Sequence, residues 1–138
     1  MTTTASPTIS TTATRPVWKG AALSGVVAAA ATVLVAAVAS AAGISLDVDG
    51  EPIPLAGFAT LTMAAVVVGY VLAIALNRWA SRPRRTFTII TVVLTAASLV
   101  PDMTVAMDRG TTVVLIAAHL VAAAIVIPAI AARLDATR

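Results

Sequence analysis

The chain has 138 residues, and its 9 Lys and Arg against 6 Asp and Glu give a formal net charge of +3. Hydrophobic residues make up 59% and charged residues only 11%, which is too little charge to cover a soluble globular domain. The absence of cysteine excludes disulfide bonds, thiol redox chemistry and thiolate metal sites. The basic residues lie at the ends of apolar blocks instead of on one water-facing surface, so nucleic acid is not predicted as a partner.

The chain begins with a polar segment and a first apolar block. Residues 1–15 are rich in Thr and Ser and have little apolar content, so we predict a disordered cytoplasmic tail. The block 17–42 is long enough, at about 1.5 Å per residue, to cross a hydrocarbon core of about 30 Å. Its basic flank and the sequence Ala39-Ser40-Ala41 also fit a cleaved signal peptide, but the apolar part of a signal peptide usually spans about 7 to 15 residues. We therefore interpret the block as a retained transmembrane helix.

An acidic segment, 43–54, follows this helix. Gly43 is expected to end the helix, and the pair Asp49-Gly50 favours a tight reversal, so we predict an outer loop or short hairpin. Its acids Asp47, Asp49 and Glu51 faintly resemble a calcium-binding loop, but the spacing and the distal glutamate of an EF-hand are missing. We interpret the segment as a solvated turn.

Three more helices are predicted, over 55–78, 86–107 and 111–132. Pro83 is expected to end the second helix within a basic turn, 81–85, and Thr111 or Thr112 to be the N-cap of the fourth. If Pro101 ended the third helix, the fifteen residues 86–100 would be too few to span, so a longer helix containing Pro101 is preferred. The fold class is then an all-α membrane protein, a four-transmembrane-helix bundle over 16–134 with short loops and a tail, 135–138.

Orientation follows from the positions of the basic residues. With both termini in the cytoplasm, Arg109 alone lies outside, and eight basic residues lie inside: Arg15, Lys19, Arg78, Arg82, Arg84, Arg85, Arg133 and Arg138. We therefore predict an N-in, C-in protein that crosses the plasma membrane four times, with the lipid bilayer as its surroundings.

Polar side chains form a stripe on the third helix. Their spacings of three and four residues put the stripe on one face of the helix; its members are Thr88, Thr91, Thr95, Ser98 and Asp102. One interpretation is that the hydroxyls bond to carbonyls of their own helix and allow tight packing. The other is a polar path that ends at the carboxylate of Asp102.

Asp102 and His119 are the candidate intramembrane pair. If the last two helices turn at Gly110, the two residues lie at equal depth, where ionisable groups are costly and usually face a partner or a cavity. The pair either bonds two helices together or serves a proton, ion or ligand. If Pro101 ended the third helix, Asp102 would lie in the outer loop and the pair would not form.

Three stretches carry a resemblance to a known family: Asp49-Gly50-Glu51-Pro52-Ile53-Pro54-Leu55, Ser98-Leu99-Val100-Pro101-Asp102 and His119-Leu120-Val121-Ala122-Ala123. The chain resembles the small four-span membrane proteins of actinobacteria that form a family of unknown function, over about residues 15–134. The resemblance implies membership and a membrane location, and it implies no activity, ligand or partner.

Three functions fit these patterns. The first is a non-enzymatic membrane module that binds a partner or packs in a complex, as a homo-oligomer or with another membrane protein. The alternative is a small proton- or cation-coupled transporter or channel that uses Asp102, His119 and the stripe. A membrane enzyme is third, because one Asp and one His could act as acid and base but no substrate pocket is recognisable. No enzyme activity, cofactor or metal site is predicted.

Overall fold

A computed structural model describes residues 16–105 and 108–135. It contains four long helices, α1 (Val17–Ala41), α2 (Leu55–Trp79), α3 (Pro83–Thr104) and α4 (Arg109–Ala131). Each is long and apolar enough to cross a membrane, which confirms the four-helix membrane fold. The predicted disordered tail, 1–15, and the last residues, 136–138, lie outside the described residues.

The acidic segment forms a small hairpin between α1 and α2. Helix α1 ends with Gly43 at a φ of 83°, where the amide of Gly43 donates to the carbonyl of Ser40 and that of Ile44 to Ala39. This pair of bonds is the Schellman motif, which satisfies carbonyls left open at a helix end. Strand β1 (Asp47–Val48) then pairs antiparallel with β2 (Glu51–Pro52).

The turn between the two strands needs two left-handed residues. Asp49 has a φ of 52° and Gly50 a φ of 80°, the sign that a two-residue hairpin turn of the primed type requires. Asp and Gly are the residues that adopt this conformation at least cost. The prediction of a tight reversal at Asp49-Gly50 is therefore confirmed.

Two helix starts differ from the sequence-based expectation. Helix α3 begins at Pro83 and not at 86, because a proline at the first helical position loses no hydrogen bond and has a helical φ. Helix α4 begins at Arg109 and not at 111, and its N-cap is Asp108, whose Oδ2 accepts from the amide of Gly110 at 2.9 Å. Thr111 and Thr112 therefore lie inside the first turn of α4, and the prediction that one of them caps it is wrong.

Pro101 does not end α3. The helix continues to Thr104, and the amide of Val105 donates to the carbonyl of Pro101 at 2.9 Å. Asp102 is therefore a helical residue in the last turn of α3. The helix ends three residues before the predicted end at 107, because Val105 is already extended, with a ψ of 143°.

The helices form an antiparallel bundle in which α1 packs closely against α2 and α4. Gly25 on α1 allows this approach, since a Cβ there would lie 3.0 Å from a methyl of Val66 on α2. Thr32 and Thr62 meet in the same interface, with 3.0 Å between their hydroxyl oxygens. Helix α3 packs more against α4 than against α2, which leaves space between α2 and α3.

The end of the bundle that holds the start of α1 is tied together by the residues after α4. Arg133 donates to the carbonyl of Pro16 at 3.2 Å, and the amide of Asp135 donates to Oδ1 of Asn77 at 3.4 Å. The amide of Arg84 donates to the carbonyl of Asp135 at 3.3 Å. The start of α1, the end of α2, the start of α3 and the end of α4 therefore share one end, which is also the basic end.

Candidate functional site

The structure brings Asp102 and His119 together. Asp102 lies in the last turn of α3, and His119 lies ten residues after the start of α4, near the middle of that helix. Nδ1 of His119 is 2.9 Å from Oδ2 of Asp102. The carboxylate is buried, with 9% of its side chain exposed, whereas 40% of the imidazole is exposed. The pair therefore presents its imidazole, and not its carboxylate, to the space around the bundle.

The ring nitrogen Nδ1 has two acceptors near it. It lies 3.0 Å from the carbonyl oxygen of Leu115, one turn earlier on α4, in an aligned hydrogen bond. Oδ2 of Asp102 is fully buried and has no aligned hydrogen-bond partner among the described residues, because the single N–H of Nδ1 points to Leu115. A carbonyl can only accept, so Nδ1 carries a proton, and when the imidazole is neutral its lone pair is on Nε2. Asp102 therefore interacts with the imidazole electrostatically, without an aligned hydrogen bond, and this interaction favours the same Nδ1–H tautomer.

A groove of about 320 Å³ runs beside this pair, between α2, α3 and α4. Its walls are mostly aliphatic, and its polar lining residues are Thr62, Thr91, Thr95, Ser98 and His119. Val68 on α2 and Leu94 on α3 line it with side chains that are 61% and 52% exposed, so the groove opens sideways between these two helices. In a membrane protein that opening faces the lipid.

The hydroxyls of the predicted stripe bond to their own helix. Thr88 donates to the carbonyl of Arg84 at 3.0 Å, Thr91 to Phe87 at 2.7 Å and Thr95 to Thr91 at 2.9 Å. Ser98 donates to Thr95 at 2.7 Å. Thr91, Thr95 and Ser98 line the groove, whereas Thr88 does not.

A smaller cavity of about 140 Å³ lies on the other side of His119, between α1, α2 and α4. It shares Thr62, Ala65, Ala122 and His119 with the groove. His119 therefore stands between two spaces, at the point where α2 and α4 face each other.

The acidic outer loop does not join this site. Asp47 lies on β1, Asp49 in the turn and Glu51 on β2, where Glu51 is paired with Val48 and not with Asp47. Across the described residues, no group of three or more His, Cys, Asp or Glu side chains is placed to hold a metal ion.

Sequence reasoning missed three features of the site: the groove, the carbonyl of Leu115 as the partner of Nδ1, and the contact of Thr32 with Thr62. The last could have been found by counting inward from the ends of α1 and α2, since Thr32 lies nine residues before Ala41 and Thr62 seven after Leu55. The groove has no signal in the sequence, because it depends on how far α2 and α3 stand apart.

The sequence profile of a family described as a family of unknown function, DUF6069, matches residues 12–136. The chain belongs to this family. Neither the curated proteins nor the solved structures give a significant match. Membership covers α1 to α4 with the hairpin, Asp102 and His119, and it confirms that the chain belongs to a family of unknown function. The actinobacterial source implied by the resemblance stays a prediction.

Proposed function

We propose that the protein is a non-enzymatic binding module of the plasma membrane, and that the groove between α2, α3 and α4 receives a membrane-embedded partner. The observation that carries the proposal is the groove itself. Its volume of about 320 Å³ lies at the lower end of the range of about 300 to 1,000 Å³ that is typical of ligand sites. Its walls combine apolar side chains with one imidazole, which is the composition of a binding site.

The lateral opening decides from where a partner enters. The rim residues Val68 and Leu94 are exposed on the lipid-facing side of the bundle, so access does not require passage through water. Helix packing in lipid depends on shape and on a few polar contacts, and a mostly aliphatic groove with one imidazole and four hydroxyls offers both.

Site-specific photo-crosslinking tests this proposal. A benzophenone amino acid at Val68 lies on the groove, whereas the same group at Val67 is on the same helix, is 56% exposed and does not line the groove. After irradiation of native membranes, we expect a discrete adduct from position 68 that position 67 does not give. Equal adducts at both positions, or none at position 68, would contradict binding in the groove.

A proton or cation path is the second candidate, and the buried carboxylate of Asp102 beside His119 favours it. Against a path along α3, its stripe hydroxyls donate to their own helix carbonyls one turn apart and do not converge on a point. The test is ion flux in proteoliposomes for the wild type, His119→Leu and Asp102→Asn. Flux that both substitutions abolish in folded protein would establish transport, and no flux in the wild type would remove it.

A further inference from the structure

The groove offers hydrogen-bond acceptors to a ligand and withholds donors. The hydroxyl protons of Thr91, Thr95 and Ser98 are all donated to carbonyls of α3. Each of these hydroxyl oxygens can therefore only accept a hydrogen bond from a ligand.

The two remaining polar groups of the groove follow the same rule. Thr32 donates to the carbonyl of Ala29 at 3.0 Å, so in its contact with Thr62 the hydroxyl of Thr62 is the donor, and its proton is used. The Nδ1 proton of His119 points to Leu115, so Nε2 is an acceptor when the imidazole is neutral. With a neutral imidazole, no donor is therefore left among the described polar side chains that line the groove.

The shape and depth of the groove restrict the shape and the charge of a ligand. Along α3 its walls extend from Phe87 to Ser98, about 16 Å at about 1.5 Å per residue, so the space is elongated along the helix axes. His119 lies at its outer end, near the middle of α4, and no charged side chain lines it. A charged head group at that depth would be costly, and nothing in the lining would offset the cost.

We infer that the groove binds a neutral, membrane-soluble alcohol with a chain-like apolar body, whose hydroxyl donates to Nε2 of His119. The apolar chain packs between α2 and α3, in the direction of the neighbouring lipid chains. Asp102 is a positioning residue, because it holds the imidazole in the tautomer that presents a lone pair. This inference rests on the proposed function and names the chemistry of the partner.

The acceptor-only lining separates this ligand from related molecules. An ester, an ether or a ketone of the same shape offers only acceptors and would meet the lone pairs of His119 and of the hydroxyls. A site built around one hydrogen bond to a hydroxyl discriminates against an analogue that lacks it, since the polar group of the site is then left unpaired.

The test is equilibrium binding of tritiated farnesol, a fifteen-carbon isoprenoid alcohol, to the full-length protein in lipid nanodiscs. We expect saturable binding that unlabelled farnesol displaces and farnesyl methyl ether does not. We expect His119→Leu to weaken binding about five- to tenfold, the value of one hydrogen bond. Leu120→Ala is the matched control, since Leu120 is the next residue on α4, is 51% exposed and lines neither cavity.

A second pair of variants keeps the test decisive if His119→Leu does not fold. Val68→Trp places a large side chain at the rim and should weaken binding, whereas Val67→Trp on the same helix should not. Displacement by the methyl ether as strong as by farnesol would overturn the inference, because any apolar chain would then fill the groove. Binding unchanged in both His119→Leu and Val68→Trp would overturn it as well.

Failure of this inference and failure of the proposed function give different results. If farnesol does not bind but the benzophenone at position 68 captures a protein or a phospholipid, the groove is a binding site and the alcohol is wrong. If farnesol does not bind and position 68 gives no specific adduct, both proposals are wrong.

Discussion

One ring nitrogen of His119, Nδ1, lies close to two oxygen acceptors: the carbonyl of Leu115 on the same helix and the carboxylate of Asp102 on the neighbouring helix. Nδ1 lies 3.0 Å from the carbonyl of Leu115 and 2.9 Å from Oδ2 of Asp102. The proton on Nδ1 points to the carbonyl of Leu115, whereas Oδ2 of Asp102 lies close to the same nitrogen without an aligned hydrogen bond. This arrangement links the packing of α3 on α4 to the hydrogen bonding of the groove, and the coupling between Asp102 and His119 can be measured.

A double-mutant cycle should show that the pair couples α3 to α4. We expect Asp102→Asn and His119→Gln to be non-additive by about 0.5 to 1.5 kcal/mol in the free energy of unfolding, the range of polar contacts between membrane helices. The measurement is reversible unfolding in mixed micelles. Additive effects within about 0.3 kcal/mol would mean that the 2.9 Å approach contributes nothing.

The predicted N-in, C-in orientation can be tested directly because the chain has no cysteine. Single cysteines at Asp49 in the hairpin and Ser81 between α2 and α3 lie at opposite ends of the bundle. With a membrane-impermeant maleimide on intact cells, we expect Asp49→Cys to be labelled and Ser81→Cys to be labelled only after lysis. The reverse pattern would contradict the orientation that the basic residues predict.

Gly25 and Gly69 should respond differently to a larger side chain. A Cβ at Gly25 would lie 3.0 Å from Val66, so Gly25→Leu should push α1 from α2 and lower stability by about 1 to 3 kcal/mol. At Gly69 the nearest atom is 3.9 Å away, on Ile130, and Gly69→Ala should be neutral or stabilising. Thermal unfolding in detergent compares the two, and equal losses would show that the α1–α2 contact is not the tighter one.

Asp108 should be more important than Thr112 for capping α4. Asp108→Ala removes the acceptor for the amide of Gly110 and should cost about 1 kcal/mol. Thr112→Ala is the matched control, since Thr112 only donates to the carbonyl of Asp108 at 3.3 Å. A larger loss of unfolding free energy for Thr112→Ala than for Asp108→Ala would restore threonine as the N-cap.

The sequence features that predicted the fold each act over a short stretch of the chain. Long apolar blocks, Gly43, the pair Asp49-Gly50 and the basic ends each act within a few residues, so the four helices and the hairpin could be predicted without a structure. The wrong helix starts at 86 and 111 have a local cause as well. Pro83 can either end one helix or begin the next. Asp is as good an N-cap residue as Thr, so Asp108 caps α4 in place of the two predicted threonines.

The sequence by itself determined that this protein crosses a membrane, because hydropathy and a fixed rise per residue set the number and length of its helices. It placed Asp102 and His119 at similar depth only if α3 runs past Pro101, which the structure shows. Only the tertiary structure decided which acceptor takes the proton of His119, and that α2 and α3 stand apart to leave a groove. Those properties depend on distances of about 3 Å between side chains and backbone of different turns and helices. Spacing along one chain fixes the face and the depth of a residue, but not its neighbour to that precision.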